Sequence, residues 1–126
     1  MRREVLVVNP VKKEADGIGD ILLRAGYAPR IIDDIEGVDA AMRSGDCMAV
    51  MVDLDSLELS NRTVRQMTLQ FPHVWFLCTS RKPFHPELQE AICNHMYACV
   101  LKPIDPDELL FWLKSIAAQA DGGHPP

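Results

Sequence analysis

A chain of 126 residues is long enough for one domain with a real core and too short for a second. Its formal charge of −5 argues against a nucleic-acid surface, because few cations stand ready to neutralise a row of phosphates. No apolar stretch approaches the roughly 20 residues that a bilayer span requires, and Val5 to Val8 behind the first arginines is too short for a signal peptide. A cytoplasmic location without membrane or nucleic-acid partners is therefore expected. The four cysteines, Cys47, Cys78, Cys93 and Cys99, lack C-x-x-C spacing and read as reduced small hydrophobes. No zinc site is expected from Cys78, Cys93, His95 and Cys99, whose spacing is irregular.

The first predicted strand, Glu4 to Val8, ends at Asn9-Pro10, where proline cannot donate to a ladder. A helix follows from about Lys13 to Ala25, with Ile18, Ile21, Leu22 and Ala25 on one face and Gly26 as its stop. Ala28 to Ile32 is a short second strand, and Glu36 to Ser44 a short helix with Val38, Ala41 and Met42 inward. Met48 to Asp53 is the strand at the centre of the chain. It is apolar without alternation and ends abruptly at a carboxylate, the pattern of a strand covered on both faces.

Ser60 to Phe71 reads as a helix that turns Val64, Met67 and Phe71 to one side and stops at Pro72. The fourth strand, Val74 to Cys78, stops at Thr79-Ser80. Pro86 opens a helix over Glu87 to Asn94 with Leu88, Ala91 and Ile92 buried. The fifth strand, Ala98 to Leu101, stops at Lys102-Pro103. Asp105-Pro106-Asp107-Glu108 is a strong start for the last helix, with an N-cap acid, a proline in the first turn and a capping-box glutamate. Leu109, Leu110, Trp112, Leu113, Ile116 and Ala117 mark its apolar face, and Trp75, Phe76, Phe111 and Trp112 read as core and helix-packing residues. Residues 1–120 form the expected domain, and 121–126 a tail or linker without periodicity.

Strands alternating with helices give an α/β fold, and right-handed crossovers make a doubly wound parallel sheet. Ligands bind such sheets at the carboxyl ends of the strands. Three strand ends here carry a carboxylate, a hydroxyl pair and an ammonium: Asp53, Thr79-Ser80 and Lys102.

On these residues the chain resembles the receiver domains of response regulators in two-component signalling, a bacterial, flavodoxin-like family with strand order 2-1-3-4-5. The resemblance runs from Val5 to about Ile116. It implies that Asp53 is the phosphoacceptor for a histidine kinase, that Thr79 or Ser80 binds the phosphoryl oxygens, and that Lys102 supplies positive charge. It also implies a cis peptide at Lys102-Pro103. Thr79 fits the strand end and Ser80 the more usual distance to the lysine; Thr79 is preferred. A carboxylate nucleophile with charge and donors around it suits phosphoryl transfer.

The departures are specific. The family's two acids after the first strand hold Mg²⁺, and here Asn9 and Pro10 stand in their place, so no metal ligand set is assigned and Mg²⁺ is expected to bind weakly. Asp55 is expected to offer only its backbone carbonyl, while Glu14 and Asp16 are the acids near enough in sequence to reach in. The family's switch aromatic is replaced by Cys99, with Tyr97 expected on the same strand face. The resemblance therefore implies an atypical receiver, not an enzyme, with output through protein–protein contacts. Its partners are a histidine kinase or another signalling protein, with a second copy of the chain as a further candidate. The expected partner surface runs over the fourth helix, fifth strand and fifth helix, and includes Phe84, Leu88, Cys99 and Leu113. The alternative is a non-phosphorylated, receiver-like assembly domain of a larger protein, in which Asp53 is an ordinary loop carboxylate.

Overall fold

A computed structural model describes residues 3–83 and 85–120. Five parallel strands form one sheet in the order β2-β1-β3-β4-β5, with β1 at Arg3–Val8, β2 at Tyr27–Ile32, β3 at Cys47–Asp53, β4 at Trp75–Ser80 and β5 at Ala98–Leu101. The helices are α1 (Lys12–Arg24), α2 (Val38–Arg43), α3 (Asn61–Gln70), α4 (Gln89–His95) and α5 (Pro106–Ala120). Among the described residues no helix is long and apolar enough to cross a membrane.

The unbroken apolar runs have a simple cause: each strand feeds two layers. Val5, Val7, Met51 and Leu77 face α1 and α5, where they meet Ile18, Leu22, Leu109, Leu113 and Ile116. Their neighbours Leu6, Val8, Val50, Val52, Phe76 and Cys78 face the other way, onto Val38, Ala41 and Met67. Burial on both faces leaves no position for a polar residue until the strand ends.

Local signals set most boundaries. Gly26 closes α1 at a φ of 90°, a left-handed conformation that costs glycine least. Ser60 caps α3 by accepting the Thr63 backbone N–H at 3.1 Å. Asp105 accepts the Asp107 N–H at 2.9 Å at the start of α5, while the Glu108 carboxylate accepts from the Trp112 indole.

Some expectations need correction. Strand β4 runs on through Thr79 and Ser80, because these residues still pair with Val100 and Leu101 of β5. The expected helix from Glu36 is a 3₁₀ turn, Ile35–Gly37, leading into α2, with the Asp34 carboxylate accepting the Gly37 N–H at 3.0 Å. A second 3₁₀ turn, Pro86–Leu88, likewise precedes α4. Ala25 lies past the end of α1 and is exposed. Phe111 is 60% exposed, because Leu109, Leu113 and Ile116 occupy the inner face of α5. The expected tail, 121–126, lies outside the described residues.

Candidate functional site

Asp53 is the last residue of β3 and is only 1% exposed. Its carboxylate keeps four donors. Oδ1 accepts from the Thr79 hydroxyl at 2.8 Å and lies 2.6 Å from the Lys102 ammonium. Oδ2 accepts both the backbone N–H of Ser56 at 3.1 Å and its hydroxyl at 2.5 Å. A carboxylate has about four lone-pair sites, and here each has a partner. Thr79 is brought to Asp53 by sheet register, since the two are paired residues on β3 and β4.

Lys102 follows β5 directly, and its side chain is 7% exposed. The ammonium sits on a tripod of carboxylates: Asp53 Oδ1 at 2.6 Å, Glu14 Oε1 at 2.9 Å and Asp55 Oδ2 at 3.1 Å. An ammonium has three N–H donors, so this arrangement uses all of them. Burial works against the charged form of Lys102, but the hydrogen bonds to Asp53, Glu14 and Asp55 outweigh it and raise its pKa. The same contact lowers the Glu14 pKa, with burial opposing and Asn9 assisting. Burial also opposes ionisation of Asp55, but Ser80, the Arg81 backbone N–H and Lys102 together lower its pKa. The peptide between Lys102 and Pro103 is cis, as the resemblance implies.

A second layer holds the tripod in place. Asn9, 2% exposed, donates to Glu14 Oε1 at 3.2 Å and accepts the Val11 N–H at 2.9 Å. Arg81 braces Glu14 at 3.0 Å and lies 4.0 Å from Asp55. Ser80, fully buried, donates to Asp55 Oδ1 at 2.7 Å and accepts from the Lys82 N–H at 3.0 Å. His85 Nε2 lies 2.8 Å from the same hydroxyl and 3.2 Å from the Lys82 carbonyl. The hydroxyl proton goes to Asp55 and the carbonyl only accepts, so Nε2 carries the imidazole proton. The Ser80 hydroxyl is thus engaged both as donor and as acceptor. Beside the tripod a cleft of about 520 Å³ opens between α1 and the segment after β5, lined by Gly17, Ile18, Arg81, Pro103 and Ile104 among others.

The structure therefore brings Asp53, Thr79 and Lys102 into one cluster, with Ser80 one carboxylate away at Asp55. The expectation for Asp55 is corrected: its side chain turns inward, because Ser80, Arg81 and Lys102 all donate to it. Of the two acids near enough to reach in, Glu14 does so from the first turn of α1, whereas Asp16 pairs with Lys12 on the exposed face. Tyr97 is not on the face of Cys99. It lies one residue before β5 and packs edge-on between Trp75 and Trp112, at ring-centroid distances of 5.0 and 5.7 Å.

The expected partner surface also changes. Leu88 is 5% exposed and Leu113 fully buried, so both are core residues; Cys99 is half-buried, and Phe84 lies outside the described residues. Ser56, Arg81 and His85 went unnoticed in the sequence as parts of the site. Ser56 had a signal, since an acid followed three residues later by a serine at a strand end has cap-like spacing.

The family's Mg²⁺ does not fit the residues present. Pro10 has no side-chain ligand, and the Asn9 oxygen is taken by the Val11 N–H. The three carboxylates already converge on an ammonium, and among the described residues no cluster of His, Cys, Asp or Glu has the arrangement to hold a metal ion.

No family model and no curated protein matches the sequence. Solved structures do match its fold. The signal receiver domain of an HD domain-containing protein from Pseudomonas fluorescens is 18% identical, with a TM-score of 0.84 over 97% of this chain and 99% of that one. A CheY-like response regulator receiver domain protein from Methanospirillum hungatei is 16% identical, with a TM-score of 0.85 over 98% of this chain and 100% of the other. A third, from Methylobacillus flagellatus, is 23% identical, with a TM-score of 0.78 over 92% and 99%. With its parallel sheet ordered 2-1-3-4-5 and its five helices, this chain has the fold of the response regulator receiver domains.

Proposed function

We propose that this chain is an atypical signal-receiver module that works through protein–protein contacts, with its pocket held in one ion-paired arrangement by Lys102 instead of being switched by a Mg²⁺-dependent phosphoryl group. The observation that carries this reading is the tripod, in which one ammonium satisfies Asp53, Glu14 and Asp55 together. Asp53 is the group a phosphoryl donor would have to use, and it starts with both oxygens engaged. Three carboxylates against Lys102 and Arg81 also leave the pocket with net negative charge, which repels an incoming phosphoryl anion. The partners are signalling proteins, a histidine kinase being the one the resemblance implies. No catalytic activity is assigned.

The test is incubation with acetyl phosphate and Mg²⁺, followed by intact mass, on the wild type and on Asp53→Asn. Neither protein is expected to gain a phosphoryl group. Addition to the wild type alone would overturn the locked pocket and make Asp53 a working phosphoacceptor.

A further inference from the structure

Cys78 and Cys99 stand directly opposite each other on β4 and β5. Both project to the α2–α3 side of the sheet, Cys78 fully buried and Cys99 half-buried against the same cluster. The Cys78 S–H donates to the Ala98 carbonyl at 3.7 Å, beside Cys99 on the same strand. The other cysteines lie apart, Cys47 at the far end of β3 and Cys93 exposed on α4. Neighbouring strands run about 4.8 Å apart, inside the roughly 4.4–6.8 Å range of Cα separations that a disulfide spans.

We propose that Cys78 and Cys99 are a redox modification site, forming a reversible cross-strand disulfide with a peroxide as the two-electron oxidant. Cys99 is the member within reach of solvent, and the neighbouring Cys78 thiol shifts its pKa downward, which favours the thiolate. The Cys78 thiol is shifted upward by the neighbouring Cys99 and by burial. The Cys99 thiolate attacks one peroxide oxygen, the O–O bond breaks, and hydroxide leaves to give a sulfenic acid. The Cys78 sulfur then attacks the sulfenic sulfur, and hydroxide leaves as the S–S bond forms. In total two thiols lose two electrons and two protons, and one hydrogen peroxide becomes two waters.

Closing the bond must draw the two Cβ atoms to about 3.8 Å, which pulls β4 and β5 together locally; a strained disulfide is the more easily reduced kind. The consequence reaches the pocket. Cys78 precedes Thr79, whose hydroxyl holds Asp53, and Cys99 lies on the strand that delivers Lys102. None of this depends on whether Asp53 takes a phosphoryl group, so the two tests fail separately.

The experiment uses the full chain carrying Cys93→Ser, titrated with hydrogen peroxide. Trypsin leaves Cys78 on peptide 66–81 and Cys99 on the peptide that begins at Lys82. The expected product is those two peptides joined, lighter by two hydrogens than the separate pair and released by dithiothreitol. The amide resonances of Thr79 and Lys102 shift on oxidation. Cys99→Ser and, separately, Cys78→Ala abolish both the cross-link and the shifts. Recovery of Cys78 and Cys99 as free thiols under peroxide that fully oxidises Cys93 in the wild type would overturn the proposal. So would a sulfinic acid on Cys99 with Cys78 still reduced.

Discussion

Lys102 carries its charge where little water reaches it, and three carboxylates depend on that charge. Breaking a buried ion pair by removing one partner costs more than the pair contributes, because the other charge stays behind. Lys102→Met is therefore expected to lose about 3 kcal/mol in urea denaturation at neutral pH, the low end of the range for buried pairs because Glu14 and Asp55 are partly exposed. The loss should shrink on mild acidification, as one of the carboxylates takes a proton, and Asp53→Asn should restore part of it. Additive effects in the double variant would mean that the two side chains are not coupled.

The pocket also sets the pH dependence. Glu14 and Asp55 are held below their ordinary values of 4.5 and 3.8, so the unfolded chain binds protons first as pH falls. Their contribution is complete above those values and is lost as pH drops through the folded-state values. Lys102 is raised above 10.5, so its contribution is complete below that value and lost as pH rises through the folded-state value. Glu14→Gln is expected to flatten the acid limb of the curve and also to reduce the alkaline limb, since Glu14 is one of the three groups that raise Lys102. An unchanged acid limb would show that Glu14 is not held by Lys102.

At the scale of elements, legibility followed how the signal was written. The carboxyl ends of the strands were readable because the apolar runs give way there to polar residues, at Asp53, Thr79 and Lys102, although β4 itself continues through Ser80. Glu14 and the side chain of Asp55 were not, because their direction is decided by an ammonium nearly ninety residues away in sequence for Glu14. In α5 the spacing placed Leu109, Leu113 and Ile116 on the apolar face and left Phe111 off it; counting Phe111 among the packing residues for its aromatic character alone was the error, since it is exposed. Capping was legible, and Ser60 gives a clean test. Ser60→Ala is expected to cost about 1 kcal/mol in equilibrium unfolding, and Ser60→Asp to cost little. Equal losses in the two would mean that the cap hydrogen bond does not stabilise α3.

For the whole molecule, the backbone overlays solved receivers at TM-scores of 0.84 and 0.85 although identity is only 18% and 16%. Fold is carried by the two-layer apolar pattern, which many sequences satisfy, while the chemistry at the strand ends varies at single positions. On the reading proposed for the pocket, the end of β1 is the place where Mg²⁺ ligands can be restored. Asn9 donates to Glu14, so Asn9→Asp replaces a donor with a charge beside an existing carboxylate. With Pro10→Asp added, the pocket gains two negative oxygen ligands that its lysine has no free N–H to satisfy. The double variant is expected to be less stable than the wild type without metal, and to gain thermal stability with Mg²⁺ concentration as a ligand bound only by the folded state requires. The wild type is expected to show no comparable gain. Equal responses of the two proteins to Mg²⁺ would mean that the end of β1 does not face the pocket that Asp53 and Lys102 define.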